Sequence, residues 1–202
     1  MLNSRDVYNI ATALNLTHNQ VVNMYCDRYI GSDSRIPVLR LKPQGANRVC
    51  PLLKNGRCSV HMLKPTVCAT FPIGRIFKSE NTPAELGLGS PDEVAYFNNG
   101  ATCGSSKKKQ TVRSWLESFG IPTNDHFFFM WNKTAFKLIK IISQYEGKEG
   151  ITDKAMNTMW NAIFSAFYFD YETSKEFYPQ FESNVAKLMS FFVNLSIVSY
   201  PQ

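Results

Sequence analysis

Apolar residues recur at Val7, Ile10, Ala11 and Leu14, the i, i+3, i+4, i+7 spacing of one helix face. A second helix is predicted from Thr17-His18-Asn19-Gln20, which has the form of a capping box. In that box Thr17 accepts from an orphan backbone N–H and Gln20 reaches back. The helix would bury Val21, Val22, Tyr25 and Cys26, with Gly31 as its stop. Apolar and polar residues then alternate from Ile36 to Leu41, the period of a short strand, and Asp92 to Phe97 reads as another. From Lys42 to Arg75 neither period holds, and Pro43, Gly45, Pro51, Gly56, Pro65, Pro72 and Gly74 break the chain repeatedly. A metal ion closing these loops would be a sufficient cause of order there.

From Thr111 onward the pattern is helical. A capped helix over Thr111–Phe119 ends at Gly120. Three longer stripes follow: Trp131, Ala135, Leu138, Ile139 and Ile142; then Met156, Met159, Trp160, Ile163, Phe164 and Phe167; then Phe181, Val185, Leu188, Phe192 and Leu195. Pro179 sits where the last would have its first turn, a position that tolerates proline. Such stripes mark core faces. The fold expected is mainly α, with a small irregular, β-containing, Cys-rich segment and a C-terminal helical bundle. The expected division is a cysteine-bearing segment over 1–105 and a helical segment over 106–202 packed on it.

Composition narrows the classes. The chain has 202 residues, 44% hydrophobic and 19% charged, which suits a packed globular protein. Its formal net charge is +6 and its pI about 9.1, yet the one basic run is Lys107-Lys108-Lys109. No Arg-rich or Gly/aromatic RNA-binding signature accompanies that run, so the sequence argues against nucleic acid as a partner. The N-terminal residues lack an apolar signal core. Leu188–Val198 is too short for a membrane span and carries Asn194. A soluble, cytoplasmic protein is expected, with no membrane partner. In a reducing compartment clustered cysteines hold metal or do redox chemistry more often than they form disulfides.

The five cysteines are Cys26, Cys50, Cys58, Cys68 and Cys103, and the last four follow a C-x7-C-x9-C-x34-C spacing. Four thiolates complete a tetrahedral Zn²⁺ site or ligate a [4Fe–4S] cluster, and soft sulfur favours those metals over Mg²⁺ or Ca²⁺. Cys26 lies among apolar residues and reads as core filler, with an extra metal ligand as the alternative. His61, at Cys58-x2-His61, could ligate a metal, but a role supporting or packing beside the site is favoured. His18 and His126 are expected at the surface or at caps, and Arg75 at the surface.

Three linked motifs sharpen the reading. Val49-Cys50-Pro51-Leu52-Leu53, Gly56-Arg57-Cys58-Ser59-Val60-His61 and Lys64-Pro65-Thr66-Val67-Cys68 with Phe71-Pro72 stand in order. Together they resemble the "C-P-F-L … C-S-I-Y/H … R/K-P-x-x-C-x-x-F-P" signature of the YkgJ-like cysteine-cluster family. Thr102-Cys103-Gly104 with Trp115-Leu116 resembles that family's later cysteine and the helix after it. The likeness spans roughly residues 4 to 120. It implies zinc or iron chelation through Cys50, Cys58, Cys68 and Cys103. The family's cysteine run upstream of the first helix has no counterpart here: either the chain starts past it or the run is lost. The resemblance extends to flagellin lysine N-methylases, but no glycine-rich nucleotide loop supports a methyltransferase, and catalysis is left open. The expected function is therefore a metal-binding cysteine-cluster protein holding zinc or an iron–sulfur cluster, linked to redox chemistry or protein modification. The alternative is a non-catalytic interaction module in which structural zinc supports a protein-binding face.

Overall fold

A computed structural model describes residues 1–78, 94–100 and 109–199. The protein is mainly α, about 52% helical, with seven α-helices and three two-stranded antiparallel sheets among the described residues. It forms two compact units, Met1–Pro65 with Ile141–Gln202, and Thr66–Lys140. The linear break at residue 105 falls inside the second.

In the first unit, α1 (Ser4–Leu14) starts three residues before the apolar stripe begins. The cause is a capping box: Asp6 N donates to Asn3 Oδ1 at 2.8 Å, and Asn3 N to Asp6 Oδ2 at 3.0 Å. Asn15, at φ 52°, closes the helix in the left-handed region. Helix α2 (His18–Tyr25) has the predicted Thr17 capping box. It ends six residues short of Gly31, because Cys26–Ile30 leaves the helix as strand β1 and pairs with β2 (Pro37–Leu41). Five cross-strand pairs outweigh the helical continuation, and Gly31 serves the turn between the strands, donating to Ile36 O at 3.0 Å. Leu2 bridges to Leu39 on the outer side of β2.

Helix α6 (Asp153–Phe164) runs into a π turn over Ser165–Phe169, and α7 (Phe177–Ser199) follows. The extra residue per turn in the π segment shifts the helical register, so Ala166, Phe167 and Tyr168 are all buried rather than one in three or four. Tyr168 donates to Leu2 O at 3.2 Å, which satisfies its hydroxyl inside the core. The α6 and α7 stripes are core: Met156, Met159, Ile163, Phe164, Phe181, Leu188 and Phe192 are buried.

The second unit holds α3 (Thr66–Thr70), β5 (Ile73–Phe77), β6 (Val94–Asn98), α4 (Val112–Glu117) and most of α5 (His126–Tyr145). Strands β5 and β6 pair from Ile73↔Asn98 to Phe77↔Val94. Asp92, at the edge of the predicted strand, lies outside the described residues. Helix α4 is capped by Thr111, which accepts from Ser114 N at 3.1 Å, and Gly120 at φ 66° follows its last turn. Ala69, Leu116 and Ile121 form a small core with Tyr96, Val112 and Phe119 packed against it.

Candidate metal centre

Of the four candidate ligands, Cys58 sits on one hairpin of the first unit and Cys50 in the turn that leads into it. Strands β3 (Leu53–Lys54) and β4 (Arg57–Cys58) pair Leu53 with Cys58 and Lys54 with Arg57. Asn55 at φ 49° and Gly56 at φ 73° make the two-residue turn, and Asn-Gly is the dipeptide that best tolerates two successive positive φ values. Cys50 enters through a tight turn in which its carbonyl accepts from Leu53 N at 3.0 Å, so it is one hydrogen bond from the residue opposite Cys58. Ser59 closes the hairpin base, donating to Leu52 O through its N at 2.8 Å and its hydroxyl at 2.9 Å.

This stretch has a packed anchor of its own. Leu52 is 1% exposed and Val60 2%, so the hairpin is held by buried apolar residues at both ends of its base. The irregular sequence hid this because a seven-residue span between two anchors, turned back on itself, shows no period. Asn55-Gly56 was the available signal for the hairpin.

The side chain of Cys50 is exposed and that of Cys58 half-buried. Cys68 is exposed on α3 in the second unit, and Cys103 lies outside the described residues. Helix α3 is fixed from its C-terminal end, where Trp115 Nε1 donates to Ala69 O at 3.1 Å and Thr70 O at 3.2 Å. Among the described residues no group of three or more His, Cys, Asp or Glu is arranged to hold a metal ion. His61 is exposed, in a 3₁₀ turn over His61–Leu63 that packs on α1.

Cys26 is separated from these thiols in character. Burial, with the neighbouring Asp27 carboxylate, pushes its thiol up to about 12, so it stays protonated at neutral pH and is a poor metal ligand. Arg75 is not a surface residue. Its side chain is 10% exposed, it pairs with Asp125 (2% exposed) at 3.2 Å, and its guanidinium stands 4.2 Å over the Phe128 ring. The expectation failed because strand β5 turns Arg75 toward the start of α5. His18, too, is buried rather than a surface or capping residue: the turn before α2 points it at the aromatic side chains of Tyr8 and Tyr171. His126 is exposed, as expected.

One electrostatic feature surrounds the three described candidate ligands in sequence. Between Asp33 and Glu80 the chain carries nine Lys or Arg and no Asp or Glu. Lys42, Arg48, Lys54 and Arg57 are exposed, and Lys54 and Arg57 are direct cross-strand neighbours, an arrangement of like charges that costs stability. Of the nine, Arg35 is ion-paired with Glu146, Arg40 with Asp27 and Arg75 with Asp125; exposed Lys54 and Arg57, next to Cys58 on the hairpin, favour an anion nearby.

No family model, no curated protein and no solved structure matches this chain. No helix among the described residues is long and apolar enough to cross a membrane.

Proposed function

We propose that the protein binds a thiophilic metal, as zinc or as an iron–sulfur cluster, through Cys50, Cys58, Cys68 and Cys103. The observation that carries this reading is a short hairpin, set by Asn55-Gly56 and anchored by Leu52 and Val60, that ends on Cys58 and is entered through a turn at Cys50. Backbone order at two thiols lowers the entropy lost when they close on a metal. The donor chemistry fits: thiolates are the ligands of Cys₄ zinc and of iron–sulfur clusters, and neither Cys50 nor Cys58 is spent in a disulfide. A centre of four thiolates and Zn²⁺ carries net charge −2, which exposed Lys54 and Arg57 on the hairpin would partly offset. Bound zinc would supply structural closure; a cluster would supply one-electron transfer, the form in which a role in redox chemistry or protein modification follows.

The test is metal content and visible absorption of protein purified without oxygen, on the parent chain and on single Cys→Ser variants. Cys50→Ser, Cys58→Ser, Cys68→Ser and Cys103→Ser should each lower bound metal, while Cys26→Ser keeps it. Iron with acid-labile sulfide and a brown colour would assign the cluster; one colourless equivalent of zinc would assign the structural site and favour the interaction module. Full metal retention in Cys50→Ser and Cys58→Ser would refute the ligand assignment.

A further inference from the structure

The junction of α1, α2 and α7 encloses a histidine that makes no hydrogen bond. His18, the first residue of α2, is 1% exposed, and neither Nδ1 nor Nε2 has a partner. Its ring lies 5.2 Å from Tyr171 in a stacked arrangement and 5.8 Å from Tyr8 of α1. Phe177 of α7 closes the group, 5.3 Å from Tyr8 and 5.6 Å from Tyr171. The two phenol protons are committed elsewhere: Tyr8 donates to Lys175 O at 2.7 Å and Tyr171 to Ala166 O at 2.9 Å. A polar ring buried without a partner costs stability compared with an apolar ring of the same shape. A phenylalanine would fill this position more favourably.

We propose that His18 is an acid-sensitive latch: its imidazole holds the α1–α2–α7 junction closed while neutral and opens it on gaining a proton. An imidazolium there would bring two N–H donors and a full charge into a site with no acceptor for either donor.

The surrounding charges do not relieve this. Helix α2 has no Asp, Glu, Lys or Arg. On α1, Asp6 accepts from Asn3 N in the capping box, and Arg5 reaches the Tyr178 hydroxyl at 3.4 Å on the exposed side. On β1, Asp27 pairs with Arg40 at 3.5 Å, Arg28 stands over Phe164, and the Cys26 thiol stays protonated. From the π turn and the segment after it, Asp170 accepts from the Ser165 hydroxyl at 3.0 Å, and Tyr168 is pushed well above the usual phenol range and Tyr171 up to about 12, so both phenols are neutral. In the segment before α7, Lys175 is occupied by Glu172 at 2.6 Å. Burial alone lowers His18 from its ordinary 6.5 to about 4.

The sign follows. Because the folded value lies below the unfolded one, the unfolded chain takes the proton first as pH falls. Folding stability is undiminished above about 6.5 and is lost progressively between 6.5 and about 4. Between pH 7.5 and 4.5 the two values give roughly a 70-fold fall in the folding equilibrium constant.

The experiment is equilibrium unfolding of the full chain and of His18→Phe at pH 7.5 and 4.5, followed by fluorescence of Trp160 in the first unit. Comparing the two chains cancels the other titrating groups. The expected result is that the parent loses about 70-fold more than the variant between the two pH values; a difference under about 3-fold overturns the proposal. Titration of the His18 ring by NMR in the parent chain serves even if the variant does not fold. A midpoint near 4 supports the latch, and one at 6 or above removes it. Amide protection at pH 4.5 should fall in α1 and α2 while β5 and β6 keep theirs; equal loss in both units would mean no local latch.

Discussion

The buried pair Arg75–Asp125 offers the sharpest test of how the second unit is held. Asp125 immediately precedes α5, where exposed backbone N–H groups and the helix dipole favour a carboxylate. It is 2% exposed and Arg75 10%, with 3.2 Å between Nη1 and Oδ2. Arg75→Ala deletes the cation and leaves the carboxylate behind. Removing one member of a buried pair costs about 3–5 kcal/mol, because the survivor loses its counter-charge in a poorly solvated site. An exposed pair would cost about 0–1 kcal/mol, so the two regimes separate cleanly. Loss of the contact with Phe128 adds about 1 kcal/mol at most to a total it partly shares. At a urea slope near 2 kcal/mol per M the midpoint should fall by about 2 M. Trp115 and Trp131 both lie in the second unit and report its unfolding by fluorescence. The double variant Arg75→Met with Asp125→Leu should recover much of the loss, since replacing both charges by apolar groups of similar size is close to neutral. A midpoint shift under about 0.5 M in Arg75→Ala would refute the claim that burial governs this pair.

Trp115→Phe keeps an aromatic side chain but loses the pyrrole part of the indole with its Nε1–H, shared between Ala69 O and Thr70 O; thermal unfolding should show a loss of about 1–2 kcal/mol and a looser α3. Gly56→Ala places a side chain at φ 73° and should cost the hairpin about 1 kcal/mol, read as faster exchange of the Ser59 amide that bonds Leu52 O. On the proposed reading the same change weakens metal retention, whereas unaltered exchange at Ser59 would show that the turn does not order the hairpin.

Much of the secondary structure was legible because its causes are local. The Thr17–Gln20 box, the Thr111 cap and the 3.6-residue stripes of α6 and α7 act within a turn or two, and each lies where the sequence placed it. The predominance of helix followed from those signals. The same locality applied to Asn3–Asp6 and Asn55-Gly56, two signals present in the sequence whose weight exceeded that of the apolar period nearby.

Tertiary structure decided what depends on distant partners. Cys26–Ile30 is a strand because Pro37–Leu41 is there to pair with it. His18 is a core residue because Tyr8, Tyr171 and Phe177 meet around it, although more than 150 positions separate it from the last two. Arg75 is buried because Asp125 lies fifty residues away in sequence and 3.2 Å away in space. The two compact units are likewise a property of the folded chain, since the first is built from both ends of the sequence and the second from its middle. Periodicity says which face of an element is apolar; only packing says what that face meets, and polar residues carried on such a face take their chemistry from what they meet.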